Sequence, residues 1–528
     1  MSALGDFAAK SFVERMLILD GIETARQTER IPELTSLLCD PALDSTARHA
    51  VGDTLRALLA ESEAEVLQGL ASGNRTVQAL CVQVAEANPT LAAGPALRAL
   101  AATETDPTVL LQVLSALGPH RSSEALEVYR AYARHPDPFV SGLCLSMLGV
   151  YRDGAALPLL SGVVDAAEGD EEFGMCSVTT EKAIEALGSL ETDEALTYLV
   201  AKIHHRNPTA RRFVHQKIVA MGARAVPMLA PAFDGGTVDE KVLAANLLGT
   251  IGGQDAGNVL VSGFDRGTVG HPNVRFAAYE ALGQIPSLKG VVCLSDGLGE
   301  DDETILLAVV SGLDRQFNPR VAARVQAVLK DGGESGQKVA RAIALCRALN
   351  LFGAAYADLE AADAVLAAVV AVGDDEVGAV FRDWLDAVGT ARAGSDRRRL
   401  QVTAAPRAGG RVLAVDDSKS MLLFYKSVAA EIDLDVVSAT NGKEALDLLD
   451  QGEVFGLIIT DLNMPVMDGI EFTRRVRSHL LCESTPVLMA TTESEGSQRE
   501  LAKKAGVNGF LNKPLRPDAL QAAIRDHL

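Results

Sequence analysis

The sequence predicts a multidomain protein: an α-solenoid of helical repeats followed by a C-terminal α/β fold, a doubly wound five-stranded parallel sheet. Three observations predict it. Apolar residues make up 48% of the 528 positions while aromatics make up only 4%, a balance that favours packed Ala- and Leu-rich helices over an all-β fold. One segment shape recurs about every thirty residues along most of the chain. Near Arg411 the pattern changes to strands alternating with helices.

The recurring segment is a polar turn, an apolar-periodic helix and a closing Leu-Gly or near equivalent. It appears as DPTVLLQVLSALG ending at Gly118, DPFVSGLCLSMLG at Gly149, TTEKAIEALG at Gly188 and NPTARRFVHQKIVAMG at Gly222. It returns as VDEKVLAANLLG at Gly249, HPNVRFAAYEALG at Gly283 and DETILLAVVSGL at Leu313. Each unit fits two helices. The first is seen in Glu124 to Arg134, Glu194 to His205 and Arg224 to Phe233. A turn with Pro and Asp or Asn caps the second, and the closing glycine is expected to take a left-handed C-cap conformation. One helix pair cannot bury its apolar stripe alone, whereas stacked pairs share a continuous core. Fainter copies at Ser45 to Leu59 and Asp374 to Gly389 extend the array over residues 29–390, with residues 1–28 as an N-terminal cap.

Within this region several features carry no chemistry. The interval from Gly149 to Gly188 holds the acidic segment Asp165 to Glu172, expected as an extended inter-helix loop that is either solvated or a contact site for a basic partner. His204, His205 and His215 lack the further ligands a metal site needs and read as surface or helix-end histidines. GGESGQK, Gly332 to Lys338, lacks phosphate-loop spacing and a preceding strand, so it reads as a repeat turn. Residues 391–410, with Arg397, Arg398 and Arg399 together, read as a linker.

The formal net charge of −21 argues against broad nucleic-acid binding. Seven scattered cysteines without a CxxC suit a reducing compartment. No signal-peptide core opens the chain and no apolar run is long enough for a membrane span, so a cytoplasmic protein is expected.

From 411 to 528 the pattern gives strands at Arg411–Val415, Asp435–Ser438, Leu457–Thr460, Val487–Ala490 and Gly509–Leu511, each followed by a helix. This implies a parallel sheet with right-handed crossovers. Polar residues stand at the strand C-termini: Asp416 and Asp417 after the first, Asp461 after the third, Thr491 and Thr492 after the fourth, Lys513 and Pro514 after the fifth. In a parallel sheet these ends share one edge, where ligands bind. Three carboxylates so placed repel one another, and a hard divalent cation such as Mg²⁺ relieves that repulsion.

This arrangement resembles the receiver domain of two-component response regulators, a flavodoxin-like, CheY-like fold, over 411–528. The resemblance rests on VDDS at Val415 to Ser418, DLNMPVMDG at Asp461 to Gly469, ATT at Ala490 to Thr492 and NKP at Asn512 to Pro514. It implies that Asp461 takes a phosphoryl group from a histidine kinase, a phosphotransfer protein or a small acyl phosphate. It implies Mg²⁺ held by Asp416, Asp417, Asp461 and the main-chain carbonyl of Asn463, with no organic cofactor. Lys513 would pair with phosphoryl oxygens, and Thr491 and Phe510 would act as the switch pair. Asn463 and Glu493 occupy positions that tune hydrolysis, and the peptide before Pro514 is expected to be cis. The helical array resembles HEAT-like repeats over residues 29–390, including the short kind found in phycobilin lyase families.

The expected function is therefore a response regulator whose phosphorylation state switches protein contacts of a HEAT-like scaffold with a protein partner. It is read as a phosphoacceptor signalling protein, not an enzyme in the usual sense. Neither a DNA-binding helix-turn-helix nor a kinase domain is expected, and the receiver's fourth helix, fifth strand and fifth helix would form the readout face. The alternatives are a receiver-controlled lyase or modifying enzyme and a phosphate sink.

Overall fold

The computed structural model describes residues 4, 6–168, 176–400, 410–479, 482–492 and 496–528. Two compact units are formed, one from 1–166 with 177–192 and the other from 167–176 with 193–528.

In both units the helical part is layered, with helices touching the next but one in sequence. In the first unit Arg75–Ala87, Pro107–Leu117, Pro138–Val150 and Val178–Leu190 pack in succession, while Glu63–Leu70, Gly94–Thr103 and Ser123–Tyr132 form a second layer. In the second unit Pro208–Ala220, Val238–Ile251, Pro272–Gln284, Glu303–Arg315 and Gly333–Leu345 form one layer, and Val226–Gly235, Gly253–Asp265, Leu288–Asp296 and Pro319–Asp331 the other. The expected turn chemistry starts these helices. Asp106, Asp137, Asn207, Asp302 and Asn318 accept hydrogen bonds from backbone N–H groups of the first turn, four of them with Pro in first position.

Three of the repeat glycines do something other than cap. Gly149, Gly249 and Gly283 lie inside their helices, and Gly118 ends its helix in a right-handed conformation. A Cβ on Gly249 would meet Ala281 Cβ at 2.8 Å, and one on Gly283 would meet Gly312 Cα at 2.8 Å. One on Gly149 would stand 2.7 Å from Ala186 Cα. The Leu-Gly signature therefore marks where neighbouring helices of one layer cross at backbone contact. Among those closing glycines, Gly222 has a positive φ, of 58°.

Three smaller expectations are adjusted. Only Gly332 and Gly333 of GGESGQK turn the chain, and Gly333–Leu345 is already helical. His205 is fully buried, its Nδ1 accepting from Asn207 N at 3.0 Å, rather than lying at the surface. Ala391–Arg399, expected as linker, forms a helix because its few apolar and acidic groups find partners. Asp396 is buried and accepts from Tyr356 Oη at 2.7 Å, while Arg397 and Arg399 pair with Asp386 and Asp363. Of the acidic segment Asp165 to Glu172, residues 169–172 lie outside the described residues.

The C-terminal fold is a five-stranded parallel sheet in the order β2-β1-β3-β4-β5. Its strands are β1 (Arg411–Val415), β2 (Asp435–Ala439), β3 (Leu457–Asp461), β4 (Val487–Thr491) and β5 (Gly509–Asn512). The intervening helices are α1 (Lys419–Ala430), α2 (Gly442–Asp450), α3 (Gly469–Arg477), α4 (Gly496–Ala505) and α5 (Pro517–His527). Helices α1 and α5 touch on one face. Leu446, Phe472, Val476 and Leu501 of α2–α4 close the other face over Leu413, Ile458, Val487 and Met489. The strand order reverses between β1 and β3, which opens a crevice at their C-terminal ends. No helix among the described residues is long and apolar enough to cross a membrane.

Gly283→Val should lower the urea midpoint of the helical far-UV signal by the equivalent of about 1–3 kcal/mol, because a side chain there overpacks a backbone contact. Gly299→Ala, where an added Cβ meets nothing within 4 Å, is the control.

Candidate functional site

Backbone geometry explains why the acidic residues converge. Asp461 ends β3 in register with Ala490 of β4, and Val415, which precedes Asp416, is paired with Thr460. β1 and β3 are neighbours at the switch point, so each delivers its carboxylate to the same crevice. Carboxylate oxygens of Asp416, Asp417 and Asp461 all lie within 4.8 Å of one another. Lys513, after β5, crosses the sheet edge. Its Nζ donates to Asp461 Oδ1 at 2.8 Å and to Asp416 Oδ2 at 2.9 Å. Its backbone N donates to Thr491 O at 2.9 Å, and the Lys513–Pro514 peptide is cis.

The remaining expected residues are placed as follows. Asn463 lines the crevice, and its backbone N donates to Asp461 Oδ2 at 3.2 Å. Thr491 is buried at the end of β4, and Thr492 beside it lines the crevice. Phe510, half-buried on β5, has the Arg499 guanidinium 4.9 Å above its ring. Glu493 lies outside the described residues. Ser418 and Tyr425 join the site: Ser418 N donates to Asp416 Oδ1 at 3.0 Å and Tyr425 Oη to Asp416 Oδ2 at 3.3 Å.

The electrostatics are those of crowded carboxylates around one ammonium. Burial pushes Asp461 up to about 6, with Lys513 pulling it down and Asp416 pushing it further up. Asp417 opens to solvent, yet desolvation by the crevice walls, then the charges of Asp416, Asp461 and Glu280, raise it well above the carboxylate range. Burial opposes the charge on Lys513, but Asp416 and Asp461 outweigh it and hold the ammonium well above its ordinary value. Three hard oxygen donors within 4.8 Å of one another fit the donor chemistry of a small divalent cation.

The helical part of the same compact unit supplies the rest of the walls. Val242, Asn246, Pro272, Asn273, Phe276 and Glu280 line the crevice together with Asp416, Asp461 and Lys513. Asn273 Nδ2 donates to Lys513 O at 2.7 Å, and Ser418 Oγ donates to Glu280 Oε1 at 2.6 Å. Half-buried Glu280 is pushed up to about 7, first by desolvation, against which the Ser418 hydrogen bond acts. Arg212 pairs with Glu471 at 3.3 Å and donates to the carbonyl of Val466. Nothing in the sequence marks Glu280 or Asn273. Both sit in an ordinary repeat helix, Pro272–Gln284, and only tertiary packing brings them to the crevice.

Known proteins are similar in sequence to this part of the chain. A family model for the response regulator receiver domain matches residues 412–525. The chemotaxis protein CheY homolog of Campylobacter jejuni is 39% identical over 119 residues, covering 22% of this chain and 92% of that protein. Chemotaxis protein CheY1 of Helicobacter pylori is 37% identical over 115 residues, 22% of this chain and 93% of its own. The solved structure of the chemotaxis response regulator CheY4 of Vibrio cholerae is 38% identical and covers 22% of this chain and 98% of its own, with a TM-score of 0.22. The chain belongs, through its C-terminal residues, to the response regulator receiver family. A receiver is a phosphoacceptor signalling domain, and it implies a histidine kinase or phosphotransfer protein as its donor.

The raised Asp461 carboxyl has a consequence for stability. A carboxyl whose folded pKa lies near 6 against an ordinary 3.8 favours folding when protonated, and this contribution is lost as pH rises through about 6. In chelator at about pH 7.5, Asp461→Asn should therefore be more stable than the wild type by about 1–3 kcal/mol in urea titrations, and the difference should shrink toward zero near pH 4.

Proposed function

We propose that this protein is a response regulator in which Asp461 is phosphorylated and the resulting change of state switches protein contacts of a HEAT-like scaffold. The observation that supports it is the Lys513 ammonium held by both Asp461 and Asp416 beside Asp417, which gathers a carboxylate nucleophile, an ammonium for phosphoryl oxygens and oxygen donors for a divalent cation in one crevice. The domain division that goes with this reading is an N-terminal cap over 1–28, a HEAT-like α-solenoid over 29–390, a connecting segment over 391–410 and the receiver over 411–528. The protein acts in the cytoplasm on a protein partner.

In this reading an Asp461 oxygen attacks phosphorus in line. The new O–P bond forms as the N–P bond to the donor histidine breaks, and the leaving imidazole nitrogen keeps the electron pair and takes a proton. Lys513 turns from its carboxylate partners to the phosphoryl oxygens. Asn463 N–H already holds Asp461 Oδ2, which leaves Oδ1 to react once Lys513 moves. Asp416, Asp417, Asp461 and the Asn463 carbonyl would hold Mg²⁺, which when bound neutralises charge on the transferring group. Thr491 closes on the phosphoryl group and Phe510 repacks. Positioning and charge neutralisation carry this catalysis, so no external base is needed.

Incubated with acetyl phosphate and Mg²⁺, the intact chain should gain the mass of one phosphoryl group, lost on hydroxylamine treatment. Asp461→Asn and excess chelator should each abolish the gain. Lys513→Ala should slow it by roughly 10²-fold or more, the scale for one preorganised charge contact. Unchanged labelling of Asp461→Asn would exclude this residue as the acceptor.

A further inference from the structure

The sheet edge that bears Asp461 is the edge that meets the helices. Asp416 is 0% and Asp461 8% exposed. Helix Pro272–Gln284 lies over the crevice through Asn273 to Lys513 O and Glu280 to Ser418. The contact continues on both flanks. On one, Arg212 binds Glu471 and the Val466 carbonyl, and Gln498 Nε2 donates to Arg206 O at 3.0 Å. On the other, Arg341 pairs with Glu431 at 2.7 Å and donates to Ser427 Oγ at 3.3 Å. These are side chains of five separate segments, and each reaches a partner across the boundary.

The helix-side charges that line the crevice together with Asp461 are carboxylates, while Arg315 stands in the adjoining cavity beside Glu280 and Asp417, and Arg211 and Arg212 in the one beside Asp417 and Asn463. Among the described residues lining the crevice itself, the helices contribute the carboxylates of Glu280 and Asp302 and no lysine or arginine. Arg212 is engaged with Glu471 at the neighbouring loop instead. Above about pH 7, where Glu280 is ionised, a phosphoryl group on Asp461 brings further negative charge into the crevice that Glu280 walls, and like charges interact strongly there. In the undocked receiver the same group faces water. The two arrangements thus differ in their affinity for the phosphoryl group, which is the requirement for a switch.

We propose that the docked arrangement is the phosphoryl-free resting state, in which the Asn273–Glu280 surface covers the phosphoacceptor edge, and that phosphorylation of Asp461 expels the receiver from it through Glu280. The proposal rests on the reading of Asp461 as phosphoacceptor. The readout is then the phosphoacceptor edge itself, in place of the face formed by α4, β5 and α5. A donor protein must bring its imidazole in line with Asp461 along the approach that helix Pro272–Gln284 occupies, so docking and protein-borne phosphotransfer exclude each other. By linkage, docking weakens phosphorylation by the factor by which phosphorylation weakens docking.

The test is hydrogen–deuterium exchange on the full chain with Mg²⁺ alone and with Mg²⁺ plus beryllofluoride. Wild type should show protection at residues 461–469 with the mimic, together with a roughly tenfold rise in exchange at 272–284 and 339–345. Mg²⁺ alone should leave the helices unchanged. Glu280→Gln, which keeps a hydrogen-bonding partner for Ser418, should stay docked and lose most of that rise. Protection at 461–469 without a rise at the helices, or with added protection there, overturns the proposal. An equal rise in Glu280→Gln overturns the part assigned to Glu280. Absence of protection at 461–469 refutes the phosphoacceptor reading, and the proposal with it.

Discussion

The ammonium of Lys513 between Asp416 and Asp461 is the interaction on which the rest of the site depends. Three carboxylates meet at the C-terminal edge of the sheet because a parallel sheet ends all its strands on one side. Without a cation among them their repulsion would favour protonation. Lys513 supplies that cation from the far strand β5, and in doing so it spans β4 to reach β3 and the end of β1. Its backbone is tied on both sides, to Thr491 O by its own N–H and to Asn273 Nδ2 through its carbonyl. One residue therefore links the acidic crevice, the end of β4 that carries Thr491, and the helix that covers the crevice.

Under the proposed release, that linkage is what ties the receiver's chemistry to the helical array. A phosphoryl group on Asp461 would compete for Lys513 directly, and the Lys513 segment is in contact with Asn273. The covering helix is itself held tightly, since Gly283 lets it approach the Glu303–Arg315 helix at backbone distance. A rigidly mounted helix transmits a change at its surface as docking or release rather than as local give. The pairs Arg212–Glu471 and Arg341–Glu431 are partly exposed and contribute modestly, each on the order of 1 kcal/mol or less.

The array's own construction follows the same economy of small residues. Helices begin at Asp, Asn and Pro positions, which the chain spells out, and they cross where the chain spells Leu-Gly. A glycine at the end of an apolar helical stretch reads equally well as a left-handed cap or as a crossing point. Cap and crossing differ only in whether another helix lies against the glycine, and that is a fact about neighbours distant in sequence. For the same reason Ala391–Arg399 reads as tether. Its helix is held by Asp396 to Tyr356 and by Arg399 to Asp363, partners more than thirty residues away.

By itself the sequence determined the sheet, its strand ends and the identity of the acidic, hydroxyl and lysine residues at its edge. Strand and helix periods are local, and parallel connection forces the strand ends together whatever else the chain does. It also determined the repeat rhythm, since each helix pair carries its own caps and apolar stripe. Tertiary structure alone decided what faces that edge. Glu280 and Asn273 lie in a helix indistinguishable from its neighbours by period or composition, and Asp461 lies some 180 residues further on. Their meeting depends on how one folded surface fits another, a property of shape and summed charge that no local pattern encodes.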